Sequence, residues 1–117
     1  MKEAERKHIN IKKVSTSAEL CAALQKNFGN ELYGKPTDVI GFGTHGKEIA
    51  NALAPLVSKK EICFYDFNQT SDTDFHYLDF DDMLSKSKIM IITNPAYLKL
   101  FKDATIFNPN TQFFSLF

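Results

Sequence analysis

Val39-Ile40-Gly41-Phe42-Gly43-Thr44-His45-Gly46 joins an apolar run to an amphipathic one through three glycines. Val39 to Phe42 is short and apolar, follows the Gly34-Lys35-Pro36 break, and reads as a buried parallel strand. From Gly46 to Val57, the residues Ile49, Ala50, Leu53 and Leu56 fall on one helical face. Glycines in the pattern G-x-G-x-x-G carry little information alone. Between a strand and a helix each has a job. Gly41 permits the tight turn, Gly43 lets a phosphate approach the backbone, and Gly46 lets the helix pack close to the strand. The free N–H groups that open the helix turn partial positive charge toward that phosphate.

A dinucleotide site also needs a carboxylate at the end of the next strand, about 20 residues on. Glu61 to Asp66 is the next strand-like run, and Asp66 stands 20 residues beyond Gly46. There it can accept hydrogen bonds from adenosine ribose hydroxyls and would repel a 2′-phosphate. Its followers, Phe67 and Asn68, include no arginine, so the expected cofactor is NAD rather than NADP. The candidate cofactor-binding residues are Gly41, Phe42, Gly43, Thr44, His45, Gly46, Asp66 and Phe67, with Asn94 and Pro95 after a later strand. His45 reads as an exposed spacer at the helix start rather than a catalytic histidine.

Working outward, Ile9 to Val14 is a short strand or an extended lead-in. Thr16 and Glu19 have capping-box spacing ahead of the apolar stripe Leu20, Ala23, Leu24 and Phe28, and Gly29 can end that helix. Downstream, Phe75 to Leu78 reads as a third strand, and Phe80 to Ser85 as a brief helix with Asp79 as N-cap. Lys88 to Thr93 reads as a strand in which Ile89, Met90, Ile91 and Ile92 are apolar without alternation, the mark of a strand covered on both faces. Pro95 opens a short helix through Phe101, and Thr105 to Phe107 reads as a further strand. Alternating strands and helices give an α/β class: a Rossmann-type three-layer domain with a mostly parallel sheet, preceded by an N-terminal helix. Residues 1–16 form a lead-in and 17–117 the single nucleotide-binding domain.

The bulk composition excludes several other classes. The 117 residues carry 14 basic and 14 acidic side chains, so no net field draws the chain to nucleic acid or an anionic membrane. The charged start lacks the apolar run of a signal peptide, and Ile89 to Ile92 is far too short to span a bilayer. Cys21 and Cys63 have no metal or disulfide spacing and read as reduced thiols in a cytoplasmic protein. Asp72, Asp74, Asp79, Asp81 and Asp82 lack a calcium-loop pattern, and His8, His45 and His76 lack ligand spacing. No metal is expected.

Taken together, residues 17–108 resemble the nucleotide-binding domain of the D-isomer-specific 2-hydroxyacid dehydrogenases. The likeness rests on Ala18-Glu19, Gly34-Lys35, the glycine loop, Tyr65-Asp66, Phe80-Asp81-Asp82-Met83-Leu84 and Asn94-Pro95. The loop and Ala50-Asn51-Ala52-Leu53 are also similar to the NAD domain of S-adenosylhomocysteine hydrolases, which usually end the second strand with glutamate. The dehydrogenase resemblance implies a substrate-binding arginine at the position matched by Thr111, and a later glutamate and histidine pair with no counterpart before Phe117. No catalytic residue is therefore assigned. The expectation is an NAD(H)-binding domain without independent catalysis, acting as a sensor or subunit. Two alternatives stand beside it: an NAD-dependent oxidoreductase completed by a partner chain or oligomer, and an interaction module with a vestigial pocket. Phe113, Phe114, Leu116 and Phe117 read as an edge strand packed on the domain or, if unpacked, as a surface for a homo-oligomer or partner chain.

Overall fold

The computed structural model describes residues 10–68, 73–102, 108 and 110–117. Among these, six strands form one wholly parallel sheet in the order β1-β6-β5-β2-β3-β4. The strands are β1 (Ile11–Lys13), β2 (Thr37–Ile40), β3 (Ile62–Tyr65), β4 (His76–Tyr77), β5 (Ile89–Ile92) and β6 (Gln112–Ser115). The helices are α1 (Ser17–Phe28), α2 (Thr44–Val57), α3 (Phe80–Lys86) and α4 (Lys99–Lys102).

Strand residues alternate between two helix-covered faces. Val39, Ile62, Phe64, Ile89, Ile91 and Phe114 pack with Leu20 and Leu24 of α1 and Ile49, Leu53 and Val57 of α2. Ile40, Met90, Ile92 and Phe113 pack with Phe80, Met83 and Leu84 of α3 and with Tyr97 and Phe101. Every residue of β2 and β5 is buried, as the unalternating apolar runs require. These are the three layers of the Rossmann-type fold. From β2 the chain runs outward through β3 and β4, then returns to β5 on the other side of β2. The strand order thus reverses between β2 and β5, where open α/β sheets hold ligands.

Local chemistry accounts for the element ends. Thr16 caps α1 by accepting from the Glu19 N–H at 3.0 Å, while the Glu19 carboxylate accepts from Ser15 N–H, one residue before the box position. Gly29 closes the helix at φ 55. Pro95 opens a 3-10 turn (Pro95–Leu98) before α4 begins at Lys99.

Two expectations need correction, one open choice is decided, and one lies outside the described residues. Asp79 holds the N-cap position of α3 but makes no side-chain capping bond. Of the two readings of Ile9 to Val14, a short strand or an extended lead-in, the strand is the one formed, as β1 pairs with β6. The C-terminal run is not an edge strand: β6 lies between β1 and β5, which buries Phe113 and Phe114 and leaves Leu116 and Phe117 half-buried. The strand expected at Thr105 to Phe107 falls outside the described residues.

Candidate functional site

The glycine loop follows β2 at the sheet's C-terminal rim, and two of its glycines answer to packing inside the chain. Gly41 has φ 94, and a Cβ there would lie 2.2 Å from Thr93 Oγ1 and 2.9 Å from the Tyr97 ring. At Gly46 a Cβ would lie 2.1 Å from the Gly41 carbonyl oxygen, so the first turn of α2 rests directly on the loop. Gly43 differs. A Cβ there meets nothing within 4 Å, and its φ of −82 suits any residue. Gly43 is also the N-cap of α2, with no side chain on the opening N–H groups of the helix. The space beside it is open where a phosphate would approach.

Asp66 follows β3 and reaches back to this loop. One carboxylate oxygen accepts from Phe42 N–H at 2.6 Å, the other from Asn68 N–H at 2.9 Å. The Tyr97 phenol is hydrogen-bonded to the same carboxylate, which leaves it one lone pair for a ribose hydroxyl. Phe42 serves the site only through its backbone: its ring is buried and stacks on Phe64 at 4.2 Å. Thr44 and His45 are exposed in the first turn of α2, and His45 Nδ1 lies 3.7 Å from a Glu48 oxygen. Asn94 and Pro95 are exposed after β5, where the Asn94 side chain caps the turn by accepting from Ala96 N–H at 2.9 Å.

Three residues that sequence reasoning missed complete the rim. The Thr93 hydroxyl lies within 3.0 Å of the Ile40 and Gly41 carbonyls and holds the loop against β5. Tyr97 packs against Gly41 and carries the Phe67 ring flat upon it, with centroids 4.3 Å apart and planes at 14°. Lys99 Nζ sits 5.1 Å from the Phe67 centroid. Burial, and then the Asp66 charge and hydrogen bond, raise the Tyr97 phenol above its ordinary range, while a hydrogen bond from the Phe67 backbone opposes the rise. One signal could have found these residues: they follow the strand that flanks β2 at the reversal of strand order.

On the other side of the loop lies a cavity of about 340 Å³ lined by Ser15, Thr16, Ser17, His45, Glu48, Ile49, Thr93 and Leu116. A dinucleotide laid across the rim would have Asp66 and Phe67 at one end and this cavity at the other. Among the described residues no group of three His, Cys, Asp or Glu could hold a metal ion, and no helix is long and apolar enough to cross a membrane. Thr111 immediately precedes β6 in the parallel sheet, and its hydroxyl donates to the Ser87 carbonyl at 2.6 Å. It therefore lies at the sheet end opposite the glycine loop and does not take the place of a substrate-binding arginine.

The family model described as the D-isomer specific 2-hydroxyacid dehydrogenase NAD binding domain matches residues 1–102. Among solved structures, the chain is similar to the PH0520 protein of Pyrococcus horikoshii, with 30% identity over 52% of this chain and a TM-score of 0.46. It is also similar to the TT0316 protein of Thermus thermophilus, with 16% identity over 68% of this chain and a TM-score of 0.47. The matches cover 19% and 29% of those two chains, so this chain spans less than a third of either. No curated protein matches it.

Proposed function

The chain belongs to the D-isomer specific 2-hydroxyacid dehydrogenase family, as its NAD-binding domain, and on that premise we propose that it binds NAD(H) at the glycine loop and Asp66 without transferring hydride by itself. The observation that carries the site is Gly43, a glycine that neither φ nor internal packing requires. A ligand pressed against the backbone gives it a purpose. The pyrophosphate would lie on Gly43 and the N–H groups of Thr44, His45 and Gly46, with the adenosine ribose on Asp66. When bound, the nicotinamide would supply the hydride acceptor or donor, and the cavity beside His45 is the place for that half.

Support for binding without chemistry comes from charge. A 2-hydroxy acid needs a cationic clamp and a positioned acid or base. The chain has one arginine, Arg6, far from the loop in sequence; the lysine at the rim, Lys99, stands over the Phe67 ring, and His45 faces Glu48 rather than a buried orienting group. The domain then works as a sensor of the cofactor or as a subunit whose remaining groups come from another chain. A complete oxidoreductase formed with such a partner is the second reading, favoured by the cavity beside His45 and Glu48.

Calorimetric titration with NAD, NADH and NADP tests the assignment. NAD and NADH should bind and NADP should bind at least tenfold more weakly, because its 2′-phosphate meets Asp66. Asp66→Ala should weaken NAD more than NADP. No binding of NAD or NADH at millimolar concentration would sink the reading. Robust NADH oxidation of a 2-keto acid by the purified chain would overturn its non-catalytic part.

A further inference from the structure

The loops after β3 and β5 meet above the end of β2, and they meet through two aromatic rings. Tyr97 is buried with its ring edge against Gly41. Phe67 lies flat on it at 4.3 Å, yet is 46% exposed, and the Lys99 ammonium stands over the Phe67 ring at 5.1 Å. An exposed phenyl gains little from burial; what holds it is ring stacking and the cation.

This clasp closes the crevice in which the base of a bound adenosine would sit. With phosphate on the glycine loop and ribose on Asp66, the base extends beyond the ribose, between the loops that flank β2. The Phe67 and Tyr97 rings are already in contact, so a third flat ring between them would need their spacing nearly to double. The ring that must move is the exposed one, since Tyr97 is buried and Phe67 sits on it from the solvent side.

We propose that Phe67 is a built-in plug: its ring occupies the place of adenine on Tyr97 and swings out when an adenine nucleotide binds, the base stacking on Tyr97 in its stead. This rests on the NAD-binding reading above. Lys99, freed from the phenyl face, is then available to the nucleotide. The closed clasp reduces apparent affinity by the fraction of molecules that are open. From the usual strength of an aromatic pair and an exposed cation–π contact, that reduction is about five- to seventyfold.

The test compares Phe67→Ala and Phe67→Leu with the parent chain by calorimetry, using NAD, AMP and nicotinamide mononucleotide as ligands. Removing a plug tightens NAD and AMP by the same five- to seventyfold and leaves nicotinamide mononucleotide unchanged, while the melting temperature falls by several degrees because the stacking and cation contacts are lost with the ring. Tyr97→Leu, which removes the platform, weakens AMP. If Phe67→Ala binds AMP more weakly than the parent or equally well, the plug is wrong while NAD binding stands. If neither the parent nor the variants bind NAD or AMP, both ideas fall.

Discussion

At the residue scale, Asp38 is the clearest case of a side chain placed against its chemistry. It sits in the middle of the sheet on β2, 3% exposed, opposite Cys63 of β3 and Met90 of β5. Burial raises its carboxyl to about 7, although a Ser87 hydrogen bond and the Lys86 charge pull the other way. Burial, with help from the Asp38 charge, likewise lifts the Cys63 thiol to about 11. The folded value for Asp38 lies above the unfolded one, near 3.9, so the fold favours the protonated carboxyl. Its contribution to stability is fully present below about pH 4, falls as pH rises to about 7, and is flat above that. The whole effect is on the order of 4 kcal/mol. Asp38→Asn should abolish this fall, leaving the variant more stable than the parent at pH 8. Urea melts from pH 4 to 8 check it, and parallel profiles for the two proteins would refute it. Asp38 was not legible as special in the sequence, because only the pairing of β2 with both neighbours buries it. Gly41, Gly46 and Asp66 were legible, since their spacing encodes a strand, a turn and a second strand. Tyr97 and Lys99 were not, because nothing in a linear run tells that the loop after β5 arches over Gly41.

At the element scale, α2 shows where sequence and geometry pull apart. Its apolar face and its start at the glycine loop follow from periodicity, but it ends at Ser58 with φ 91 and ψ 129, a conformation that disfavours a side chain. Glycine is the usual residue at such helix ends. Ser58→Gly should therefore raise stability by about 1 kcal/mol, less the entropy that glycine adds to the unfolded chain. A higher denaturant midpoint at constant slope is the expected result; a lower midpoint would mean that Ser58 holds its backbone for another reason. The strand β6 teaches the opposite lesson. Its phenylalanines were visible as an unusual apolar cluster, yet its position inside the sheet was not, because β1 from the other end of the described chain covers its outer side. Without that pairing, a C-terminal strand reads as an edge.

At the scale of the whole molecule, one sheet joins strands from the two ends of the described chain. Phe114 is 1% exposed and packs in the same cluster as Ile91, Leu20 and Leu24. Phe114→Ala should cost about 3–5 kcal/mol, a large share of the stability of a domain this size. A chain ended at Thr111 loses β6 and the partner of β1, and should lose its sharp thermal transition. If instead it melts as the parent does, β6 is not part of the cooperative core. The same wholeness sets the candidate site, whose residues come from the ends of β2, β3 and β5 rather than from any one segment. At its centre is the open space at Gly43, which we propose takes the phosphates of NAD. Gly43→Ala probes that space alone, by NAD titration alongside a thermal melt. Stability should stay within about 0.5 kcal/mol of the parent, because the new methyl group meets nothing, while NAD affinity falls at least tenfold. A variant that binds NAD as tightly as the parent would contradict the assignment of that space to the cofactor.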